Sequence, residues 1–365
     1  VRSAAAPPQA IEASGGQDPA CLTRPRPGAT IADRFVFGGE FMPLQSRWHQ
    51  LPTEAINPSS LNIDKLDSAG IIDVMLSEDR KMLAAVARER ERIALAVDII
   101  TEALRKGGRL FFVGAGTSGR LGVLEAAEMP PTFGTSQEMV RAVVAGGKQA
   151  VFRTSEGVED RYSAGVRAVR RIVPSKKDVF VGVSASGITQ FVRGALSSAR
   201  KAGARILFVT CDPASDLQTF VDLTIVLGVG PEVITGSTRL KAGSATKLVL
   251  NMLTTAAMVR VGKTYGNLMV DVQATNEKAK DRARRIVTIV TGLDYDASDR
   301  LLRRAHWNVK AAIVMEKVQL PYAKALQRLR NAGGLMRDAI GEDVEPRLRE
   351  LLAAGPVRQD AEPRE

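Results

Sequence analysis

Apolar residues recur along this chain in two rhythms. Short apolar runs at 109–113, 140–144, 178–183, 205–210 and 222–226 have the length of buried strands. Between them, 119–128, 160–172, 188–202 and 214–220 space their apolar residues as helices do. Near-continuous apolar strands alternating with helices predict an α/β fold, a doubly wound and mainly parallel sheet covered on both faces. Upstream, 66–107 reads as helical. Val86, Ile93, Ala94, Ala96, Val97, Ile100 and Leu104 keep helical spacing, and Gly107-Gly108 closes the segment.

Downstream, 241–261 reads as one long amphipathic helix, and 276–340 lacks strand patterning and is expected to form a small helical domain. Residues 1–50 are rich in Ala, Pro and Gly without periodicity and are expected to be a disordered tail; 341–365 are expected to fray. The sheet domain, with its leading helices, would then occupy 51–275.

The strand-to-helix junction at FFVGAGTSGRLGVLEAAEMPPTFG (111–134) carries the first chemical signal. The run Leu110 to Val113 is followed by Gly114-Ala115-Gly116-Thr117-Ser118-Gly119, then by a helical segment expected to end at Pro130-Pro131. Small residues admit close backbone approach, and a helix N-terminus favours negative charge, so this arrangement suits a phosphate. Gly114-x-Gly116-x-x-Gly119 meets the dinucleotide spacing, but 139–147 (MVRAVVAGG) offers no acid for a ribose, and no P-loop lysine follows. A second small-residue loop, Ser184-Ala185-Ser186-Gly187-Ile188-Thr189, also follows a strand. Either loop alone reads as an ordinary turn or helix cap. Two of them on the carboxyl edge of one parallel sheet make Gly116, Thr117, Ser118, Ser184, Ser186, Gly187 and Thr189 candidates for a phosphate cradle.

Composition narrows the chemistry. The 365 residues are 45% hydrophobic and 25% charged, ordinary for a globular protein. The two cysteines, Cys21 and Cys211, and the two histidines, His49 and His306, are scattered. They suggest no metal site, no disulfide framework and no Ser-His-Asp triad, and they suit a reducing cytoplasm. Acid–base work is left to carboxylates, Lys or Tyr. The net charge is +11, but the basic residues (Arg88, Arg90 and Arg92; Arg167, Arg170 and Arg171) interleave with acids or keep solvent-facing spacing. They read as solvated faces that attract an anionic substrate, with no nucleic-acid partner. No run of 18 apolar residues occurs, so no membrane span is expected.

The segment 111–134 closely resembles the sugar isomerase (SIS) phosphosugar-binding domain of the N-acetylmuramic acid 6-phosphate etherases. The likeness continues through Thr53-Glu54-Ala55-Ile56-Asn57-Pro58, Asn62-Ile63-Asp64, Val144-Ala145-Gly146-Gly147, Glu156-Gly157-Val158-Glu159-Asp160 and Val181 to Gly187. It is strongest at 230–276, GPEVITGSTRLKAGSATKLVLNMLTTAAMVRVGKTYGNLMVDVQATN, and runs from about 51 to about 340.

The resemblance implies cleavage of a lactyl ether on a sugar phosphate, with no cofactor, by a homodimer. It implies Glu128 as proton donor, with Glu125 not excluded by spacing, and Glu159 as the second active-site glutamate. The apolar positions Leu248, Val249, Met252, Leu253 and Ala256 are a candidate dimer surface. Ser237, Thr238 and Lys241, in GSTRLKAG (236–243), either line the sugar site or belong to a capped helix start. One departure stands out: the family usually carries Arg, Thr, Pro after Ala-Ser-Gly, and this chain has Ile188, Thr189, Gln190. An aliphatic side chain cannot pair with an anion. A phosphosugar isomerase would share the cradle. So would a non-catalytic sensor such as glucokinase regulatory protein, although this chain shows no second glycine loop.

Overall fold

The computed structural model describes residues 48, 51–155 and 157–354. Apart from Trp48, the expected tail lies outside these residues, as do Glu156 and 355–365. Five strands, β1 (Leu110–Gly114), β2 (Val140–Val144), β3 (Val179–Val183), β4 (Arg205–Thr210) and β5 (Leu223–Val226), form one sheet. Their order is β2-β1-β3-β4-β5 and every pairing is parallel. The chain enters the sheet at β1, steps to β2, then crosses back to β3. The loops after β1 and β3 therefore part at a topological switch point, where sheets of this order bind ligands.

Alternation within the strands sorts the two faces. Leu110, Phe112, Val181, Val183, Leu207 and Val209 face a layer that contains α1 (Ser68–Arg88), α2 (Arg90–Arg105), α3 (Gly116–Phe133) and α7 (Lys241–Arg260). Phe111, Val113, Phe180, Ile206 and Phe208 face α5 (Tyr162–Arg170) and α6 (Gln190–Lys201). The rings of Phe111 and Phe180 stack 4.5 Å apart on that side. A short α4 (Gln149–Phe152) follows β2. α3 lies unusually close to the sheet. A Cβ on Gly119 would meet the Gly114 carbonyl oxygen and Val144 Cγ1 at 2.8 Å each, so only glycine fits.

Three sequence expectations change. The segment 66–107 is two helices, because the chain breaks at Glu89, whose carboxylate accepts the Val226 N–H at 3.2 Å. The expected helix at 214–220 is only a 3-10 turn, Asp216–Thr219. α3 does not stop at Pro130-Pro131 but continues to Phe133 and ends on Gly134. Proline inside a helix costs roughly 3 kcal/mol. Here the prolines fall in the last turn, and continuing the helix buries Met129 and Phe133 in the core.

A second core gathers Tyr265, Val270 and Val272 with α8 (Glu277–Thr291), α9 (Tyr295–Arg304), α10 (Val309–Val318), α11 (Tyr322–Asn331) and α12 (Met336–Ile340). Helix α13 (Glu345–Ala353) packs on α8, beyond the expected end of order at 340. Buried Lys310 fastens this cluster to the end of α7: its ammonium donates to the carbonyls of Gly262 (2.7 Å) and Gly334 (3.0 Å) and pairs with Asp271 (2.7 Å). Among the described residues no helix is long and apolar enough to cross a membrane.

Candidate active site

A cavity of about 310 Å³ opens at the switch point, within the usual range for small-molecule sites. Gly116, Thr117 and Ser118 line it from the start of α3, and Ser184, Ser186 and Thr189 from the loop after β3. The helix begins three residues earlier than its sequence predicts, so Gly116 to Ser118 are its first turn, not a preceding loop. The first bond onto this turn, Gly119 N–H to the Ala115 carbonyl, is 3.3 Å. The N–H groups before it have no acceptor within the helix and sit at the positive end of its dipole. This is the anion end of the cavity.

The second loop is stiffened from within. Ser184 Oγ lies 2.8 Å from Thr189 Oγ1 and accepts the Gly187 N–H at 3.1 Å, while Ser215 Oγ donates to the Gly187 carbonyl at 2.8 Å. Gly187 is thus a strut of the loop: its N–H is used internally, and it does not line the cavity. Ile188 is half-buried and also outside the lining. The cation that does line the cavity is Arg120, one residue past the first glycine loop. Its Nε donates to the Val151 carbonyl at 2.9 Å and an Nη to the Arg153 carbonyl at 3.3 Å, which fixes the head of α3 to the segment after β2. Sequence reasoning missed Arg120, although its place directly after the first glycine loop, beside the cradle, was a readable signal.

Of the two expected glutamates, the cavity holds one. Glu159 lines it, half-buried, and its backbone carbonyl accepts the Phe191 N–H at 2.8 Å, so the start of α6 fixes its position. Glu128 is exposed and does not line the cavity. It lies ten residues beyond Ser118, and ten residues of helix advance about 15 Å. Glu128, which the resemblance implies as proton donor, thus does not reach the cavity of its own chain. Glu125 is buried elsewhere: its carboxylate accepts from Thr254 Oγ1 at 2.8 Å and Asn251 Nδ2 at 3.4 Å, tying α3 to α7.

Lys241 and Ser237 also fall outside the lining. Lys241 is buried, and its ammonium pairs with buried Glu78 of α1. Burial alone would raise the Glu78 pKa; hydrogen bonds from Lys241, Lys81 and Asn57 overcome that and hold it at about 2. The start of α7 is not an anion site either. Buried Glu232 accepts the N–H groups of Lys241 (3.0 Å) and Ala242 (2.9 Å), the first residues of the helix. The start of α3 thus faces the cavity open, whereas the start of α7 is already capped by a carboxylate. Thr238 and Thr246, near that start, do line the cavity, as do Thr154 and Ser155 before Glu159 and, from the N-terminal segment, Glu54. Among the described residues no three His, Cys, Asp or Glu side chains cluster as metal ligands.

Residues 92–200 match the family model of the glucokinase regulatory protein N-terminal SIS domain. N-acetylmuramic acid 6-phosphate etherases align over most of the chain. The protein from Trichormus variabilis is 48% identical over 81% of this chain and 96% of its own length. That from Salinibacter ruber is 50% identical over 80% and 94%. An etherase of Vibrio cholerae is 47% identical over 81% and 96%. With near-half identity along almost the whole length of these relatives, the chain belongs to the N-acetylmuramic acid 6-phosphate etherase family.

Proposed function

We propose that this protein is a carbon–oxygen lyase. It cleaves the lactyl ether of N-acetylmuramic acid 6-phosphate, giving N-acetylglucosamine 6-phosphate and D-lactate in cytoplasmic amino-sugar metabolism. The observation that carries the reading is a single cavity that joins an open helix N-terminus, a hydroxyl-rich loop and Glu159 in a chain of this family. In it the phosphate dianion takes hydrogen bonds from the first turn of α3 and from Ser118, Ser184, Ser186 and Thr189, with Arg120 adding positive potential. In the open-chain sugar the aldehyde acidifies the proton on carbon 2, and the Glu159 carboxylate removes it. The bond from carbon 3 to the lactyl oxygen then breaks, and the departing oxygen takes a proton from a carboxylic acid. Water adds to carbon 3 of the unsaturated aldehyde and a proton returns to carbon 2, so one water is consumed overall. The test is direct: supplied with N-acetylmuramic acid 6-phosphate, the protein should release lactate, and silence would defeat the reading.

Carboxylates alone can run these steps. Lactate release is therefore expected to survive a chelator; loss of activity restored by a divalent ion would contradict this.

Glu128 can serve as the leaving-group acid only if it comes from a second copy of the chain, and a homodimer is part of the proposal. The surface first suggested for it needs revision. Val249 and Leu253 are fully buried in the core, whereas Met252 and Val259 of α7 are exposed. So are Ile72, Leu76 and Leu83, along one face of α1, and Leu124 of α3. These exposed apolar side chains are the revised candidates for the interface. Light scattering at micromolar concentration should report twice the chain mass; a monomer would remove both the dimer and the role of Glu128.

A further inference from the structure

We infer that Glu54, which neither composition nor local pattern singles out, is a substrate-binding residue of the same cavity. It would accept hydrogen bonds from the uncharged donors of the sugar, its hydroxyls or acetamido N–H. The inference rests on the phosphosugar reading of the site above.

Glu54 ends a 3-10 turn, Pro52–Glu54, about sixty positions upstream of the sheet, yet it lines the cavity beside Gly236 and Thr238. The segment is held there on both sides of Glu54. Before it, the Thr53 carbonyl accepts the Gly236 N–H at 3.2 Å. After it, buried Asn57 donates to Glu78 at 3.0 Å and to the Pro231 carbonyl at 3.0 Å. Glu78 in turn pairs with Lys241 at the start of α7. A buried ion pair thus fixes the N-terminal segment against the cavity wall.

The space for the carboxylate is kept clear by Gly236. Its φ is +77°, and a Cβ there would lie 2.8 Å from Glu54 Oε2. Glu54 is exposed at the cavity, and its carboxylate has no hydrogen-bond or ion-pair partner among the described residues, although the backbone on either side is anchored. An ionised carboxylate is acceptor-only. It repels the phosphate and the lactyl carboxylate, so within a cavity of this size it must meet the neutral stretch of the sugar between them. There its free acceptors match hydroxyl and amide donors. Glu54 thus reads the sugar, and the α3 cradle reads the phosphate.

The two functions separate in a binding experiment. Calorimetric titration with N-acetylglucosamine 6-phosphate and with inorganic phosphate should be compared for the unaltered protein, Glu54→Ala and Glu54→Gln. Loss of a hydrogen bond to a charged group predicts about 10- to 100-fold weaker binding of the sugar phosphate to Glu54→Ala. Glu54→Gln, which keeps one acceptor oxygen and the side-chain shape, should fall between and also serves if the alanine variant does not fold. Inorganic phosphate should bind both variants at least as tightly as the unaltered protein, because a repelling charge is lost, and the KM for ether cleavage should rise more than kcat falls. Equal sugar-phosphate affinity in all three proteins would overturn the inference, as would parallel loss of both ligands. If the unaltered protein binds the sugar phosphate but releases no lactate, the proposed reaction fails while the role of Glu54 is still decided by the titrations.

Discussion

Glu159→Gln is expected to lower lactate release by about 10²–10⁴-fold, the usual worth of a general acid–base group. It should do so without unfolding the protein. What holds Glu159 in place is its backbone carbonyl, bonded to the Phe191 N–H; its carboxylate lies at the cavity, and glutamine preserves shape and size. The loss should appear in kcat, with KM little changed, because proton abstraction belongs to the transition state and not to binding. The exposed neighbour Asp160 is outside the cavity lining, so Asp160→Asn is the matched control and should be mild. Glu125 would be a poor control, since its buried carboxylate joins α3 to α7. Near-normal turnover of Glu159→Gln would remove the base from the mechanism.

The largest stability effect is expected at the Glu78–Lys241 pair. Both side chains are only 2% exposed, so Glu78→Ala leaves an ammonium buried without its counter-charge. Such single removals cost about 3–5 kcal/mol, whereas replacing both partners by apolar residues of similar volume is often near neutral. Urea unfolding should therefore show a large loss for Glu78→Ala and substantial recovery in Glu78→Leu combined with Lys241→Met. The pH dependence has a definite sign. Glu78 ordinarily titrates at 4.5 and is held at about 2 in the fold, so its contribution is present above 4.5 and lost as pH falls toward 2. Unfolding free energy should drop less steeply through that window in the double variant than in the unaltered protein. A loss under about 1 kcal/mol for Glu78→Ala would mean that the pair is far better hydrated than its burial implies.

The sheet was legible because its signal is local. Runs such as Phe111 to Val113 and Val179 to Val183 are buried on both faces and bounded by turns, so composition alone announces them. The first glycine loop was legible for the same reason, although the helix it starts was placed three residues late. What stayed hidden depends on distant partners. No pattern around Lys241 says that its ammonium will meet Glu78, 163 positions away, and so the sequence left it open between the sugar site and a capped helix start. Glu54 is held at the cavity by that pair, by Asn57 and by the bond from the Gly236 N–H to the Thr53 carbonyl. Glu128 was singled out by resemblance, which carries a role but not a location. Helical rise then places it well beyond the cavity of its own chain. The two prolines of α3 misled because a local penalty was outweighed by the burial of Met129 and Phe133.

The central claim is an ether cleavage by elimination and hydration, and turnover of N-acetylmuramic acid 6-phosphate in heavy-oxygen water tests it most directly. Elimination breaks the bond between carbon 3 and the ether oxygen, so that oxygen leaves with the lactate. Water supplies the new hydroxyl of the sugar. Mass spectrometry should find lactate released without the heavy isotope, and the same reaction in deuterium oxide should leave one deuterium on carbon 2 of the sugar. Lactate that carries the heavy oxygen, or no lactate at all, would contradict the account.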